Sequence, residues 1–501
     1  MSAVIGIDGG TESLRAFVFD TAGRPLGQGT GAYQTRIPRP GWAEQDPADW
    51  WRALGAAVPA ALRDAGVDGR EVRGLGLDTT SCTVVALDAH GRALRPSIIW
   101  MDVRAADEAD AVLAAGMPEL KLNGGGQGPV SAEWMLPKAL WLKRHEPETY
   151  ARAETICEYQ DYLIRHLTGR CVASRNNVSM RWHHAPDRPT GLLQALGLDD
   201  LAAKWPAEIA APGENVGGLI PEAADHLGLP VGTPVAQGGA DAFIGMIGLG
   251  VNTPGHLALV TGSSNLQLGV SAAPMHGPGI WGSYAHAVYP GRHILEGGQT
   301  STGSVLAWFK RNFAPDTDYN TLNREAAELP PGSDGVLVLD HFQGNRCPHT
   351  DPHSRGVIAG LSLGHGRAHL FRGIMEGVCF GTEAVIQTMR AAGFDSSEVV
   401  IAGGATRSPV WLQMHADVTG LPLHLPTVAD APSLGSGILA AVAAGIHDDL
   451  DIGVARMTRM ARTIQPDRAA HRRYAELYER YAELYPALRP TAHALVAASR
   501  A

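Results

Sequence analysis

The sequence has few charged residues and no excess of positive charge, which argues against nucleic acid as a partner. Charged residues make up 18% of the 501 residues, and the net charge is −10. A protein that binds the phosphate backbone of nucleic acid needs a basic face, and this composition does not favour one. A small anionic substrate needs only a local positive site, so the acidic balance leaves such a substrate open.

Cysteines are also few, and they lack the spacing of a metal site or a disulfide framework. Their number is odd, they are scattered, and none forms a Cys-x-x-Cys pair, which favours reduced thiols in a cytoplasmic enzyme. His349, Asp351 and His353 cluster, but on a proline-containing loop where we do not expect a metal. The five cysteines are Cys82, Cys157, Cys171, Cys347 and Cys379.

Long hydrophobic runs are absent from the sequence. The N-terminus shows no basic region followed by an apolar run, so we expect no signal peptide. The longest apolar stretches, such as residues 437–445, fall far short of the roughly 20 residues that span a membrane. We therefore expect neither a membrane anchor nor a membrane partner.

The length and the pattern of the chain predict two α/β domains. A single core stops growing at roughly 250–300 residues, and hydrophobic residues make up 45% of this chain. Strand–turn–strand patterns at residues 4–20 and 256–270 resemble each other, and we interpret them as a weak internal repeat that opens each half. The predicted domains are residues 1–249 and 250–501.

The sequence predicts several helices, and for some of them it also predicts where the helix ends or against what it packs. Residues 47–65 have helical periodicity, with Asp46 as the expected N-cap and Pro47 in the first turn. Residues 151–167 also have the pattern of one helix, stopped by Gly169. A tyrosine stripe along residues 474–485 is typical of a helix that packs against the body of the protein.

Three turns combine glycine with hydroxyl residues at the end of a strand. They are residues 8–11 (Asp-Gly-Gly-Thr), 261–264 (Thr-Gly-Ser-Ser) and 403–406 (Gly-Gly-Ala-Thr). Glycine lets the backbone approach a phosphate, and successive N–H groups then form an anion-binding concavity. One such turn is equally typical of a sharp hairpin, but three turns across two halves indicate phosphate binding. None matches the lysine-containing P-loop or the dinucleotide fingerprint.

Two carboxylates accompany these turns. Asp8 ends the first strand, where it could hold Mg²⁺ through water or only cap the turn. Asp241 lies between small residues and an apolar segment, where it could accept a proton from an attacking hydroxyl. It could also be a helix N-cap, and the two interpretations are compatible.

These motifs, in this order, resemble those of the FGGY carbohydrate kinases over residues 4–485. The resemblance implies two actin-like domains of the RNase H type, with ATP and sugar in the cleft between them. It implies Asp241 as the general base and Asp8 as the residue near Mg²⁺. The residues it assigns to ATP are Gly10, Thr11, Thr261, Gly262, Ser263, Ser264, Gly403, Gly404 and Ser408.

The sugar end resembles that of the ribulokinases within this family. Residues 81–83 (Ser-Cys-Thr), 131–138 and 296–299 (Glu-Gly-Gly-Gln) resemble ribulokinase segments, although Ser81 replaces an alanine. That serine adds a hydrogen-bonding group and could change the sugar preference by roughly 1–3 kcal/mol. The residues that this resemblance places at the sugar are Ser81, Cys82, Trp100, Asp102, Lys138, Asp241 and Glu296.

The reaction implied is transfer of the γ-phosphoryl group of MgATP to a primary hydroxyl of a small ketose, with ribulose as the first expectation. Xylulose, a tetrulose and a polyol remain open as substrates. A rival of another class is a non-catalytic actin-like nucleotide-binding protein, which would need no acid at position 241. A dehydrogenase is disfavoured by the missing fingerprint. The oligomeric state stays open, with a homodimer as the default expectation.

Overall fold

The computed structural model describes residues 2–122, 130–184 and 187–499. The strands are β1 (Ala3–Gly9), β2 (Ser13–Asp20), β3 (Pro25–Ala32), β4 (Glu44–Gln45), β5 (Val72–Thr79), β6 (Val84–Leu87), β7 (Ser97–Ile98), β8 (Thr155–Glu158), β9 (Val172–Ser174), β10 (Glu208–Ala210), β11 (Asn215–Gly218), β12 (Pro234–Ala236), β13 (His256–Thr261), β14 (Asn265–Ser271), β15 (Trp281–Ala285), β16 (His293–Gln299), β17 (Leu337–Leu339), β18 (Val357–Ala359), β19 (Glu398–Gly403), β20 (Leu423–Pro426) and β21 (Met460–Ile464).

The helices alternate with these strands along the chain. They are α1 (Pro47–Ala65), α2 (Ala106–Ala114), α3 (Met135–His145), α4 (Pro147–Arg152), α5 (Tyr159–Thr168), α6 (Arg175–Arg181), α7 (Thr190–Ala195), α8 (Leu201–Lys204), α9 (Pro221–Leu227), α10 (Asp241–Gly248), α11 (Gly303–Phe313), α12 (Tyr319–Ala327), α13 (Arg367–Ala391), α14 (Pro409–Thr419), α15 (Ala431–Ala443), α16 (Leu450–Met457) and α17 (Arg468–Ala498). Among the described residues, no helix is both long and apolar enough to cross a membrane.

Each half of the chain builds one large sheet, and the two sheets share a strand order. The first runs β11-β12-β5-β1-β2-β3, and the second runs β15-β16-β14-β13-β19-β20-β21. In the first, β1 is antiparallel to β2 and parallel to β5. In the second, β13 is antiparallel to β14 and parallel to β19. The repeat indicated by the two hairpins therefore extends through six strands of each sheet.

Local sequence signals set several elements as expected. Asp46 caps α1, accepting a hydrogen bond from the backbone N–H of Ala48, and Gly66 ends the helix in the left-handed conformation (φ 63°). Tyr474 and Tyr481 on α17 are buried in the core of the second half, so the predicted packing of the tyrosine stripe is confirmed.

The single helix predicted over residues 151–167 is wrong. Helix α4 ends at Arg152, and residues 155–158 form strand β8, which pairs with β6 in a small sheet. Helix α5 then begins at Tyr159 and ends before Gly169, as expected. Pairing with β6 and burial in the small sheet override the local helical periodicity here, since the preference of a short segment depends on its tertiary neighbours.

Helix α15 belongs to the second half of the sequence but packs on the first sheet. Its backbone approaches β1 and β5 at two glycines. A Cβ atom on Gly6 would lie 1.9 Å from the carbonyl oxygen of Ser433, and one on Gly76 would lie 2.3 Å from that of Ser436. Leu434 and Ile438 of α15 share a core with Val4 of the first sheet. The boundary near residue 250 stays a prediction. Elements from before and after that boundary in the sequence both pack on the first sheet.

Candidate active site

A cleft of about 280 Å³ is lined by residues from both halves of the chain. Its walls come from the ends of β1 and β5, the start of α10, the β13–β14 turn and the second sheet. The lining residues are Thr11, Thr80, Ser81, Cys82, Trp100, Glu133, Trp134, Arg181, Ala240, Asp241, Ala242, Phe243, Ser264, Asn265, Leu266, Trp281, Glu296 and Arg346.

Asp8 and Asp78 lie side by side at the ends of parallel strands, as register partners of β1 and β5. Arg15 forms ion pairs with Asp8 and, at 2.5 Å, with Asp430. Ser436 donates a hydrogen bond of 2.7 Å to Asp78 Oδ2. The Oδ1 atoms of both aspartates are buried and have no hydrogen-bond partner in the described part of the chain.

Burial governs the protonation of this carboxylate pair. It raises the pKa of Asp8, and the Arg15 guanidinium acts in the opposite direction. Burial and the neighbouring Asp8 charge hold the pKa of Asp78 well above its usual range. Like charges in one site keep a proton in the pair or favour a bound cation. The pair is therefore suited to a cation or to a shared proton.

Asp241 is the first residue of α10 and lines the cleft. The N-cap position belongs to Ala240, so the N-cap interpretation of Asp241 is displaced by one residue. The carboxylate accepts a hydrogen bond of 2.7 Å from the backbone N–H of Ala242. Burial, followed by the charge of Asp8, raises its pKa to about 7. A carboxylate with such a pKa can accept a proton near neutral pH.

The first two glycine turns have the tight backbone geometry expected of them. Gly10 N–H donates to Ser13 O at 3.0 Å, and Gly262 N–H donates to Ser264 O at 2.9 Å. Thr11 Oγ1 accepts a hydrogen bond of 3.0 Å from Trp100 Nε1 at the rim of the cleft. Ser263 is exposed in the second turn, where its side chain is free to meet a ligand.

Thr261 joins the second turn to the third. Its hydroxyl donates to Ala402 O at 2.7 Å and accepts from Ala405 N–H at 3.0 Å. Gly403 has φ 92°, and a Cβ atom there would lie 1.9 Å from Thr261 O, so only glycine fits. At Gly404 a Cβ atom would meet nothing within 4 Å, so its neighbourhood is open.

A second cavity, of about 330 Å³, flanks the same β13–β14 turn as the first. Gly262 lines it, whereas Ser264 of the same turn lines the cleft that holds Asp241. Ser408 caps α14 by accepting from Trp411 N–H and donates to Asn323 Oδ1 at 3.0 Å. The second glycine turn therefore contributes to the walls of both cavities. The lining residues are Gly262, Gly303, Leu306, Tyr319, Asn320, Asn323, Phe371, Gly404, Ala405, Arg407, Ser408 and Trp411.

Most of the residues predicted at the sugar do line the first cleft. Ser81, Cys82, Trp100, Asp241 and Glu296 are all among its walls. Cys82 has φ 64°, a left-handed conformation, and its N–H donates to Glu158 at 2.9 Å. Burial raises the pKa of that Glu158 carboxyl to about 7.

The structure places Lys138 and Asp102 behind the wall of the cleft instead. The Lys138 ammonium is fully buried and donates to the carbonyl oxygens of Cys82 at 2.6 Å and Ile99 at 2.8 Å. Asp102 is fully buried, accepts from Ala43 N–H and pairs with Arg104 at 2.7 Å. Both groups are committed to protein partners, so the predicted contacts with a sugar are corrected to roles in supporting the wall.

Sequence reasoning missed several charged residues of this site. Arg181 is nearly buried and binds both carboxylate oxygens of Glu296, at 2.8 and 2.9 Å. Arg346 lines the cleft from the loop after β17. Asp78 could have been found, because Gly76-Leu77-Asp78 repeats the Gly-Ile-Asp pattern that ends at Asp8. The arginines had no such signal, since their strands and helices meet only in the fold.

Comparison with known proteins places the chain among carbohydrate kinases. Residues 3–248 match the family model of the FGGY carbohydrate kinase N-terminal domain, and residues 257–444 match that of the C-terminal domain. A ribulokinase of Mycolicibacterium smegmatis is 33% identical, with 95% of this chain and 92% of that protein covered. An FGGY carbohydrate kinase domain-containing protein of Xenopus laevis is 30% identical, with 95% and 94% covered.

Solved structures share the whole fold. The crystal structure of xylulose kinase from Rhodospirillum rubrum has a TM-score of 0.87 and 31% identity, and the alignment covers 98% of this chain and 100% of that one. A glycerol kinase of Plasmodium falciparum with ADP has a TM-score of 0.84 at 19% identity, over 96% of this chain and 98% of the other, and therefore bears on the fold alone. The two-domain, actin-like α/β fold expected from the sequence is confirmed.

Proposed function

Because this chain belongs to the FGGY family of carbohydrate kinases, we propose that it transfers the γ-phosphoryl group of MgATP to a primary hydroxyl of a small ketose, a pentulose such as ribulose. The chain is a phosphotransferase that acts on a sugar. The pentulose is the finer part of the proposal. Relatives named ribulokinase and xylulose kinase, together with the ribulokinase-like sequence around Ser81, support it.

The observation that carries the proposal is the meeting of Asp241 with glycine turns from both halves in one cleft. Thr11 of the first turn and Ser264 of the second line the same cleft as Asp241. Phosphoryl transfer needs a base at the acceptor and hydrogen-bond donors at the phosphate oxygens, all in one place. A protein that only binds nucleotide needs no carboxylate at position 241.

The second cavity supports the proposed place of adenosine. It lies beyond the Gly262 turn and is lined by Gly404, Ser408 and Trp411. Adenosine there would direct the phosphates along residues 262–264 toward the cleft. Gly10, Thr11, Thr261, Gly262, Ser263 and Ser264 are the residues we propose at the phosphates, with Gly403, Gly404 and Ser408 at the adenosine.

The carboxylates of Asp8 and Asp78 fit a magnesium ion held through water. Their Oδ1 atoms are buried acceptors without partners in the described residues. The same described residues contain no group of three or more His, Cys, Asp or Glu side chains placed to hold a metal directly. Mg²⁺ keeps several waters and uses one or two carboxylates with substrate phosphates, so the two findings agree. When bound, the ion would neutralise charge on the phosphate oxygens.

The protein's own part in the reaction is to bind, orient and remove one proton. Asp241 accepts the proton of the attacking hydroxyl, at a carboxylate whose pKa of about 7 suits that task. N–H groups of the glycine turns donate to the phosphate oxygens. Closure of the two halves around the sugar would exclude water, which otherwise competes as the phosphoryl acceptor.

Arg181 and Glu296 are the groups we propose for orienting the sugar hydroxyls. The pair is bidentate and nearly buried, and Tyr284 donates to Glu296 at 3.0 Å, so the geometry is fixed before the sugar binds. Ser81 adds a hydroxyl to the wall of the same cleft. These groups select between sugars that differ at single hydroxyls, which is why xylulose, a tetrulose and a polyol remain alternatives.

A coupled assay of ADP release across pentuloses, tetruloses and polyols tests the substrate. We expect one ketose to be turned over with the highest kcat/KM and its phosphate ester to accumulate. Asp241→Ala should leave sugar binding measurable by calorimetry and reduce turnover to below a few per cent of the wild type. Asp451→Asn, at a surface ion pair with Arg292, serves as the matched control. Turnover above a few per cent in Asp241→Ala would refute the role of base.

A further inference from the structure

Arg346 is a charged residue of the cleft whose guanidinium has no anionic partner among the described residues. It lines the cleft beside Glu296, and its guanidinium carbon lies 5.1 Å from the centre of the Trp281 ring. Throughout residues 2–122, 130–184 and 187–499, the Arg346 side chain forms neither a hydrogen bond nor an ion pair. Arg181, on the same tryptophan, is already engaged with Glu296. Arg346 therefore keeps its five donors available.

Two further polar groups of the same cleft also lack partners among the described residues. Trp281 is 7% exposed, and its Nε1 donor is buried without an acceptor. Glu133 lines the cleft from the first half, and its carboxylate has no hydrogen-bond or ion-pair partner in the parts of the chain that are described. Trp134, the next residue, contacts Trp281 edge-to-face with ring centres 5.6 Å apart. All of these groups thus line one cleft between the two halves of the chain.

The chemistry of this set indicates what would occupy it. A buried donor without a partner costs about 1–3 kcal/mol, so the groups gain when a ligand satisfies them. The set combines donors on Arg346 and Trp281, an acceptor on Glu133 and aromatic faces. A hydroxyl both donates and accepts, whereas a carboxylate only accepts and would be repelled by Glu133. A neutral hydroxymethyl end of a sugar chain fits better than a sugar acid.

We infer that Arg346, with Glu133 and Trp281, forms the subsite for the hydroxyl at the end of the ketose opposite to the phosphorylated one. The inference rests on the proposed function and names the residues that set the substrate's distal end. Arg346 then determines specificity, because an analogue without that hydroxyl would leave the guanidinium and the indole N–H unpaired. Sites that hydrogen-bond a hydroxyl reject analogues that lack it by large factors.

The test compares the preferred ketose with its deoxy analogue, which lacks only that distal hydroxyl. In the wild type we expect kcat/KM for the ketose to exceed that for the analogue by about 100-fold or more. Arg346→Met keeps an apolar stem against Trp281 but removes the donors. It should lower kcat/KM for the ketose by about 100-fold and change that for the analogue by less than about threefold. Glu133→Gln should also lower kcat/KM for the ketose more than that for the analogue, but by a smaller factor.

Each result bears on a different claim. An equal loss of kcat/KM on both substrates would leave the discrimination unchanged. It would indicate a structural role for Arg346 and overturn the inference. Arg346→Lys, which keeps the charge but not the planar fork, should recover part of the discrimination, and thermal unfolding checks that each variant folds. A sugar carboxylate turned over better than the ketose would also overturn it. If the wild type phosphorylates no ketose at all, the proposed function itself fails.

Discussion

At the scale of single residues, three carboxyl groups near one end of the cleft compete for protons. Asp8, Asp78 and Asp241 each have a pKa raised by burial, and the charge of Asp8 raises the pKa of Asp78 and of Asp241 further. Such an arrangement costs folding free energy and persists where function needs it. Asp241 differs from the other two in lying at the start of a helix and on the wall of the cleft. It is therefore the member that we propose exchanges a proton with a substrate.

The raised pKa of Asp241 predicts a specific dependence of activity on pH. A base must be ionised, and a carboxyl with a pKa of about 7 is protonated below that pH. We expect kcat/KM for the sugar to rise about tenfold per pH unit below pH 7 and to level off above it. The check is an initial-rate profile from pH 5 to 9. The product is quantified directly, so that the pH dependence of coupling enzymes does not affect the profile. A profile that stays flat to pH 5 would exclude Asp241 as the titrating base.

Lys138 provides a prediction in which a structural role and a binding role give different results. Its buried ammonium satisfies the carbonyl oxygens of Cys82 and Ile99 behind the wall of the cleft. Lys138→Met leaves them unpaired, so we expect the unliganded protein to lose about 2–4 kcal/mol of unfolding free energy. Urea unfolding measures it. Lys143 lies on the same helix as Lys138 and forms an exposed ion pair with Asp200, so Lys143→Met should cost less than about 1 kcal/mol. Equal stabilities of Lys138→Met and the wild type would contradict the structural role.

The sequence could predict residues of the site where chemistry and local pattern coincide. Asp8, Asp241 and the glycine turns follow strands or begin helices, so their neighbours in sequence are also their neighbours in space. The resemblance of its segment to one that contacts sugar predicts Lys138 at the sugar. The direction of the Lys138 side chain, however, depends on how α3 packs against β6. Arg181 and Arg346 reach the cleft from elements far apart in sequence. A pattern within one segment contains no information on such meetings.

At the scale of elements, helix α15 is held against the first sheet by glycines rather than by interlocking large side chains. Gly6 and Gly76 let the helix backbone approach two strands closely. The approach also brings Ser436 to Asp78, so packing and the carboxylate pair are coupled. Glycine in a strand interior ordinarily weakens the strand, and close approach of another backbone is the usual reason for its presence.

The close approach predicts that Gly76→Ala is strongly destabilising. The added Cβ atom would lie 2.3 Å from the carbonyl oxygen of Ser436 and 3.1 Å from the backbone nitrogen of Ala440, so α15 must move. We expect a loss of about 3 kcal/mol, at the upper end of the overpacking range, and a fall in turnover as Ser436 leaves Asp78. Gly364→Ala is the control, because its nearest neighbour would be a side-chain atom at 3.7 Å. A Gly76→Ala protein with the unfolding midpoint of this control would contradict the proposed packing.

Elements also show where the sequence pattern was insufficient. The boundaries of α1 followed from Asp46 and Gly66, because capping residues act on their own helix. The error over residues 151–167 arose because β8 is stabilised by β6, about 70 residues earlier. Short strands in small sheets depend on such partners, and their own four residues do not distinguish them from a helical turn.

At the scale of the whole molecule, the two halves of the sequence are not two independent halves of the structure. The repeat of strand order gives each half its own sheet. The helix that covers one face of the first sheet nevertheless comes from residues 431–443, after six of the seven strands of the second sheet. Any closing motion must therefore move the second sheet relative to a body that includes both residues 3–248 and α15.

This arrangement predicts that residues 1–249 do not fold alone. Without α15, the face of the first sheet that bears Val4 and Phe19 would lose the apolar cover of Leu434 and Ile438. A fragment of residues 1–249 should therefore bind a hydrophobic dye and unfold in urea without a cooperative transition. Co-expression with residues 250–501 should restore a cooperative transition, because the second fragment supplies the missing helix. Cooperative unfolding of the 1–249 fragment by itself, at a midpoint near that of the full chain, would show that α15 is dispensable for the first sheet. The boundary near residue 250 would then separate two autonomous domains.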